Sequence, residues 1–349
     1  MKGLGICLAL VAMSTCVRNT PGPFPVLNRQ SKVFVITLDG FRWQEVFQGA
    51  DQALLEDRQV TVNAPLVKAL YGQGPAAERR KKLLPFFWNV IAAQGQLYGN
   101  RLFHNMVNTA NPYALSYPGY SELLTGRVDL SIMGNARKRN PNPNILDALN
   151  RSKEYAGKVA AFTSWDVFPF ILNKKPGSVY LNSGWQNISG PLSYSEKLLN
   201  TLQTQVRDEK KETRYDELTF IACREYLLKN TPSVVFLSFS GTDDAGHARR
   251  YDEYLQKANN ADRMIGELWS LVQSLPEYAG HTTFIITTDH GRGSHPANWH
   301  KHGFLIDGST HTWFALLGSG IVPTGEMKNK NQLYQKELNN LVLQLLAKR

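Results

Sequence analysis

The sequence predicts an α/β fold, with a doubly wound, mostly parallel central sheet and helices on both of its faces. Segments 33–38, 234–242 and 282–288 are apolar at nearly every position, which is typical of strands buried on both faces. Segments with helical spacing separate them, as parallel strands require. Acidic and histidine residues directly follow all three segments. The carboxyl ends of parallel strands form the rim at which α/β proteins bind their ligands.

The amino terminus has the pattern of an export signal. An apolar stretch at 4–13 follows Lys2 and precedes small residues. This stretch is short for a bilayer span, so we expect it to be removed, either after Ser14 or, in a lipoprotein, before Cys16. We therefore predict a signal over residues 1–16 and an exported protein of the periplasm or cell surface. Membrane attachment is expected only if Cys16 carries a lipid.

The rest of the chain is expected to form a single α/β domain over residues 30–349. The chain has 349 residues, 42% of them hydrophobic, which is enough for one large core. Its formal charge of +10 suits an anionic substrate, although exported proteins are often basic as well. Lysines and arginines are scattered, and no nucleic-acid-binding motif is present, so we expect no specific nucleic-acid binding. Only Cys223 lies well inside this domain, so no intrachain disulfide framework is available.

Two segments have helical spacing and are expected to pack on the sheet. These are LLPFFWNVIAA at 83–93 and the longer segment at 251–275. The charged stretch at 77–82 is expected to be a solvated helix or loop. The basic stretch at 136–144 has loop composition, and the charged run at 207–217 is expected to be an exposed connection or helix face.

The residues after the three strands could together bind a metal. Asp39 alone has an ordinary explanation, because Asp before Gly commonly caps a helix or forms a turn. Asp243 and His247 are four residues apart, so one helical turn brings both to the same face. Asp289 and His290 place a hard carboxylate beside an imidazole. The three clusters in one chain favour a metal site over three unrelated turns.

A nucleophile and a further ligand are available elsewhere in the chain. Ser116 precedes Pro118-Gly119 and a short helical segment, where its hydroxyl could be activated by a metal or could simply cap the helix. Segment 295–311 is rich in histidine. The residue types alone do not distinguish among its members, which are His295, His300, His302 and His311.

These motifs resemble the alkaline phosphatase superfamily, particularly its nucleotide pyrophosphatase/phosphodiesterase branch. The resemblance extends from Asp39 to about Gly320, with the motifs in the family's order. Ser116, in SYPGYSELLTG, matches the family's nucleophile before a proline. His302, in HKHG, is the best match to the last metal-binding histidine, and His311 is the competing assignment.

The resemblance implies an alkaline phosphatase-like fold and a metal-dependent phosphoric ester hydrolase with two divalent ions, zinc or alternatively manganese. One ion would be held by Asp243, His247 and His302. The other would be held by Asp39, Asp289, His290 and the Ser116 oxygen. Ser116 would attack the phosphorus of a small anionic phosphate monoester or diester, giving a phosphoserine intermediate.

The resemblance also implies how the transferred phosphoryl group would be held. The amides after Ser116 and the side chain of Asn135 would stabilise its oxygens, with Asn142 or Asn144 as alternatives to Asn135. No arginine follows the serine at the sulfatase position, where this chain has Tyr120, which argues against a sulfatase. The phosphodiesterase branch commonly uses threonine as the nucleophile, so the choice between monoester and diester stays open. The alternatives are a manganese-dependent phosphoglyceromutase-like enzyme and a non-catalytic surface binding protein with the same fold.

Overall fold

The computed structural model describes residues 31–175 and 178–347. Within these ranges the strands, in chain order, are β1 (Lys32–Leu38), β2 (Gly95–Tyr98), β3 (Asn105–Asn108), β4 (Val159–Thr163), β5 (Tyr180–Ser183), β6 (Val234–Phe239), β7 (Thr282–Thr287), β8 (His311–Thr312), β9 (Phe314–Gly318), β10 (Gly325–Glu326) and β11 (Asn331–Tyr334). The predicted export signal over residues 1–16 lies outside the described ranges.

The helices in the same ranges are α1 (Trp43–Gln48), α2 (Gln52–Glu56), α3 (Ala64–Val67), α4 (Ala76–Leu83), α5 (Ala92–Gln94), α6 (Ser116–Thr125), α7 (Ile145–Arg151), α8 (Phe168–Ile171), α9 (Tyr194–Val206), α10 (Asp216–Asn230), α11 (Gly241–His247), α12 (Tyr251–Ser274) and α13 (Glu337–Ala347). Short π-helical turns at Lys68–Gly72 and Phe87–Ile91 and a 3-10 turn at Arg101–Phe103 complete them. Among these helices, none combines the length and apolar character needed to cross a bilayer.

Eight strands form the central sheet, in the order β10-β2-β9-β7-β1-β6-β4-β5. The neighbours from β7 to β5 are all parallel, and β9 runs antiparallel to both β7 and β2. Seven of the eight strands therefore share one direction. The predicted mostly parallel α/β sheet is confirmed.

Strand β1 lies in the middle of the sheet and separates two hydrophobic cores. Its side chains alternate, so Phe34 and Ile36 pack into one core and Val33 and Val35 into the other. Helix α12 covers the first face, and helices α6 and α13 cover the second. This arrangement confirms the doubly wound architecture. Strands β6 and β7 flank β1 and run parallel to it, so the carboxyl ends of all three meet at one edge.

Most predicted elements match the structure, and two differ. Segment 251–275 is helix α12, the charged stretch 77–82 lies in α4, and 136–144 is irregular. Segment 83–93 is not a continuous helix, because α4 ends where Pro85 cannot continue the backbone hydrogen bonding. The run 207–217 is not exposed throughout, since two of its charged residues, Arg214 and Asp216, are 2% and 4% exposed.

Candidate active site

The ends of strands β1, β6 and β7 place the predicted ligands at one point. Asp39 is the first residue after β1, and Asp289 is the second after β7. Strand β6 is followed by the seven-residue helix α11, on which Asp243 and His247 lie one turn apart and on the same side. The predicted helical turn at 243–247 is therefore present.

Asp39, Asp289 and His290, which we call the buried group, surround the serine hydroxyl. All three are at most 3% exposed. His290 Nε2 lies 3.4 Å from a carboxylate oxygen of Asp39 and 3.4 Å from one of Asp289. Ser116 Oγ is 3.2 Å from the same Nε2 and donates to Asp39 Oδ1 at 3.4 Å. Three donor residues and the candidate nucleophile thus converge on one small space.

Asp243, His247 and His302, which we call the open group, lie beside the buried group and face the solvent more. His247 Nε2 is 3.1 Å from Asp243 Oδ2 and 3.1 Å from His302 Nε2. The side chain of His247 is 57% exposed. Asp243 Oδ1 lies 3.8 Å from His290 Nε2, which joins the two groups.

Backbone carbonyls hold two of the imidazoles in the orientation that a metal ligand needs. His290 Nδ1 lies 2.8 Å from the Gly291 carbonyl, and His302 Nδ1 lies 3.1 Å from the Ala114 carbonyl. A carbonyl only accepts, so Nδ1 carries the proton and Nε2 presents its lone pair to the cluster. Burial, followed by the neighbouring His290, lowers the pKa of His302 to about 2, which keeps this imidazole neutral.

The carboxylates are concentrated beyond what the nearby side chains neutralise. Burial, and then the nearby Asp243 and Asp39 respectively, raise the pKa of Asp39 and of Asp289 well above the ordinary value. Burial also opposes ionisation of Asp243, but Arg292 beside it holds the pKa of that carboxyl well below its usual range. Asp289 Oδ2 is buried and accepts no hydrogen bond from any described residue. Such an oxygen is unfavourable unless a cation binds it.

The donor set fits divalent metal ions. Two groups of side chains could each hold an ion, namely Asp39, Asp289 and His290, and Asp243, His290 and His302. Tetrahedral zinc with nitrogen and oxygen ligands requires donor atoms about 3.3 Å apart. The separations of 3.1 to 3.4 Å around Ser116, His290 and His247 agree with that spacing.

Ser116 is the first residue of α6, and Leu115 occupies the capping position. The serine hydroxyl points to Asp39 and His290, so the simple capping role is not observed. Gly119 allows the helix to approach the cluster closely, because a Cβ at this position would lie 2.4 Å from the Asp289 carbonyl oxygen. The helix amino terminus, which favours an anion, therefore faces the candidate ligands.

Of the three candidate asparagines, Asn135 is the one next to the nucleophile. Its Oδ1 accepts a hydrogen bond from the Tyr117 amide at 2.9 Å. The Asn135 side chain and the amide after Ser116 were both expected to contact phosphate, and in this structure they are hydrogen-bonded to each other. Asn142 donates to Asp129, and Asn144 caps helix α7. His302 is the histidine of segment 295–311 that joins the cluster, whereas His311 begins strand β8 and pairs with Asn108.

The sequence reasoning missed two buried residues that contact the ligands. Arg292 pairs with the Asp243 carboxylate and also donates to its carbonyl at 3.1 Å. Gly246 leaves room for this guanidinium, since a Cβ there would lie 2.6 Å from Arg292 Cζ. The Tyr120 hydroxyl donates to Asp39 Oδ2 at 3.1 Å. Arg292 directly follows the DHG motif, which was the available signal, whereas Tyr120 resembles any apolar position of a helix.

A cavity of about 450 Å³ opens from Ser116 and Asp243 to the surface. Its outer wall comes from the irregular segment before α10, including Lys210, Lys211 and Thr213, and from Trp165 after β4. No local sequence pattern indicates that the run 207–217 borders the site. Lys210 and Lys211 share this lining with the carboxylates of Glu212 and Asp244, and the indole ring of Trp165 offers a planar apolar surface to a substrate.

Comparisons with known proteins show the family of this chain. Residues 85–340 match the family described as type I phosphodiesterase/nucleotide pyrophosphatase. GPI ethanolamine phosphate transferase 1 is 28% identical in Mus musculus and 26% in Homo sapiens, each over 242 residues. These matches cover 68% of this chain but only 24% of the relatives, so the chain spans about a quarter of their length.

Solved structures show the same fold. Alkaline phosphatase PafA has a TM-score of 0.57 at 10% identity, with 92% of this chain and 96% of that chain covered. Murine ectonucleotide pyrophosphatase/phosphodiesterase 5 has a TM-score of 0.53 at 15% identity, with 90% and 95% covered. The predicted alkaline phosphatase-like fold is confirmed. The chain belongs to the type I phosphodiesterase/nucleotide pyrophosphatase family.

Proposed function

We propose that this protein is a metal-dependent phosphoric ester hydrolase that forms a phosphoserine at Ser116. Family and fold support phosphoester hydrolysis or transfer in general. The observation that carries the specific proposal is the position of Ser116 Oγ, 3.2 Å from His290 Nε2 and at the floor of an open cavity. A hydroxyl that caps a helix accepts a hydrogen bond from a backbone amide of that helix, whereas Ser116 Oγ contacts Asp39 and His290.

We propose two divalent ions, zinc or manganese. The buried group and the Ser116 oxygen would hold one ion, and the open group would hold the other. Such ions would polarise the phosphoryl oxygens and lower the pKa of the serine hydroxyl. Nitrogen and carboxylate donors suit zinc, but the same donors accept manganese.

The chain's own residues would position and attack the substrate. Ser116 Oγ would form the bond to phosphorus as the ester oxygen leaves, and Asp39 Oδ1 already accepts the hydrogen bond of the serine proton. Negative charge on the phosphoryl oxygens would face the amino terminus of α6, with Asn135 at its side. Water entering through the cavity would then attack the phosphorus and break the bond to Ser116 Oγ, regenerating the serine. The product would be phosphate from a monoester or a phosphomonoester from a diester.

A small anionic phosphate ester is the substrate class that the cavity supports, with monoester and diester as the two cases to be tested. The relatives named for GPI ethanolamine phosphate transfer favour a second candidate, in which a lipid-linked hydroxyl takes the place of water. Both reactions would share the phosphoserine. We further propose that the protein acts after export, in the periplasm or at the cell surface.

Product analysis tests these proposals. The protein, loaded with zinc or with manganese, is incubated with aryl phosphate monoesters and diesters in water and in water containing glycerol. Release of phosphate or a phosphomonoester supports hydrolysis, and a new glycerol phosphodiester from a diester substrate supports transfer. Mutase activity on phosphoglycerate would favour the phosphoglyceromutase-like alternative. Tight substrate binding with no turnover under either metal would favour the non-catalytic binding protein.

A further inference from the structure

A chain of hydrogen bonds joins the interior of helix α6 to His302, through residues that the proposed mechanism does not use. It begins at Glu122, which is 1% exposed. Glu122 Oε2 accepts from the Ala110 and Asn111 amides at 3.0 and 2.8 Å. The same oxygen accepts from Asn111 Nδ2 at 2.8 Å, and Oε1 accepts from the Ala110 amide at 2.8 Å. One buried carboxylate therefore ties the segment before the nucleophile to the helix that follows it.

The chain continues through an alanine in an unusual conformation. Asn111 Oδ1 accepts from the Ala114 amide at 3.1 Å. Ala114 is fully buried and has a φ of 45°, in the left-handed region that is unfavourable for an alanine. Such a residue keeps this conformation when its surroundings determine it. Here the conformation turns the Ala114 carbonyl toward His302 Nδ1, at 3.1 Å.

We propose that Glu122 and Asn111 are positioning residues, which hold the His302 imidazole in the tautomer and orientation that a metal requires. Partners that accept from the non-ligating nitrogen of a histidine typically change metal affinity 10- to 100-fold when they are removed. The same contacts hold the backbone just before Ser116. The Glu122 carboxylate would therefore position both the His302 ligand of the open group and the nucleophile. This inference rests on the proposed function, because it takes His302 to be a ligand.

The burial of Glu122 supports a role of this kind. A carboxylate in a helix interior, removed from water, is costly unless hydrogen bonds compensate. Here the compensation comes from three N–H groups of a single segment, and no Lys or Arg ion pair to Glu122 occurs in the described part of the chain. The carboxylate is thus matched to the segment 110–111. A leucine would fill a similar space but would leave these donors unsatisfied.

A double-mutant cycle on Zn²⁺ affinity tests the proposal. Apoprotein is titrated with Zn²⁺ against a competing chelator, at a temperature where every variant is folded. We expect Glu122→Leu to lower the affinity for one of the two Zn²⁺ ions at least about tenfold. In a His302→Ala background the same substitution is expected to cause no further loss at that ion, because its effect acts through the missing imidazole.

Two further variants separate positioning from general packing. Glu122→Gln keeps an acceptor at the place of Oε2 and is expected to recover most of the Zn²⁺ affinity. Glu196→Leu is the matched control, since Glu196 is 3% exposed and serves the capping box of α9; its Zn²⁺ affinity should equal that of the wild type. If Glu122→Leu does not fold, Asn111→Ala removes the same link and is expected to weaken the same ion.

The outcomes distinguish this inference from the proposed function. Wild-type affinity in folded Glu122→Leu or Asn111→Ala protein overturns the inference, as does an equal additional loss in the His302→Ala background. In those cases the metal-dependent activity stands. A wild-type protein that binds neither Zn²⁺ nor Mn²⁺ overturns the proposed function itself, and the inference with it.

Discussion

The buried group and the open group use similar donors, but different parts of the fold hold them. Asp39 and Asp289 follow neighbouring strands of a parallel sheet, so the sheet itself sets their separation. Asp243 and His247 lie on a seven-residue helix, and His302 lies in the irregular segment between β7 and β8. Side-chain contacts must therefore hold the open group. The comparison indicates that one half of the site depends on topology and the other on individual hydrogen bonds.

The largest loss of turnover is expected from substitution of the proposed nucleophile, Ser116. Ser116→Ala removes the attacking oxygen but leaves every carboxylate and imidazole in place, so turnover should fall by about 10³-fold or more. Metal content should change little. The measurement is turnover together with mass spectrometry of protein quenched during reaction, where a phosphorylated peptide containing Ser116 is expected from the wild type.

Ser121→Ala is the control on the same helix, because its hydroxyl is also buried but accepts from Asn140 rather than facing the cluster. It should retain turnover close to the wild-type value. Near-normal turnover by Ser116→Ala would show that the serine is not the nucleophile.

A second prediction separates metal binding from folding in the buried group. Asp289→Asn keeps an acceptor for the Gly40 amide, which donates to Asp289 Oδ1 at 3.0 Å. It replaces the unsatisfied Oδ2, which lies 3.4 Å from His290 Nε2, with an uncharged N–H donor. We expect the metal-free variant to be more stable than metal-free wild type by on the order of 1–3 kcal/mol. Turnover should fall at least about 100-fold, because the ligand is weakened.

Thermal unfolding with chelator and with added Zn²⁺ measures this difference. Metal should raise the unfolding temperature of the wild type much more than that of the variant, because only the wild type presents its full set of charged ligands. A metal-free variant less stable than metal-free wild type would mean that the Asp289 charge is already compensated by the protein.

The third prediction concerns the open group. His302→Ala should weaken binding of one ion about 10-fold or more, since it removes a nitrogen 3.1 Å from His247 Nε2. His311→Ala should leave metal affinity near the wild-type value, because His311 lies at the start of β8, with its pKa lowered to about 4 by burial and then by Arg101. Isothermal titration of both apoproteins with Zn²⁺ provides the test. A larger loss in the His311 variant would reverse the assignment.

The sequence predicts the residues at the strand ends better than those held by individual hydrogen bonds. Runs such as VFVITL and TTFIIT are typical of strands buried on both faces. They predict the strands, their parallel arrangement and the residues at the strand ends. The positions of Asp39 and Asp289 at the strand ends follow from that pattern, and their interpretation as ligands came from finding three such clusters in one chain. His302 required the family resemblance, because its position depends on an irregular segment with no periodic signal.

Other parts of the site have no local signal. Glu122 lies in a helix whose exposed or buried face cannot be told from SYPGYSELLT, and Asn111 resembles any loop asparagine. Lys210 and Lys211 line the cavity because the tertiary fold places the run 207–217 beside the site, and this placement has no local sequence signal. The broken helix at 83–93 was readable in part, since Pro85 is visible in the sequence.

The smallest effect is expected from the residue that fixes the start of α11. Asp216 is buried, and its carboxylate accepts from the Ser240 and Gly241 amides, both at 2.9 Å, and from the Ser164 hydroxyl at 2.7 Å. It thereby holds the first turn of the helix that carries Asp243, although it belongs to α10. Among residues 31–175 and 178–347, no carboxylate from a helix fixes β1 in this way, and sheet hydrogen bonds on both sides of the strand already hold it.

Asp216→Ala should therefore affect the open group and leave the buried group unchanged. Loss of the three hydrogen bonds should lower the free energy of unfolding by about 1–3 kcal/mol. Because α11 can still form, we expect the ion held by the open group to bind only a few-fold more weakly, a smaller change than in His302→Ala. Asp216→Asn retains one carbonyl acceptor, and both its stability and its Zn²⁺ affinity should lie between those of the alanine variant and the wild type.

Chemical denaturation measures the free energy of unfolding, and Zn²⁺ titration measures the affinity for each ion. Equal weakening of both ions would show that α11 and the strand ends respond as one unit, which would contradict the division into a group held by the sheet and a group held by side-chain contacts.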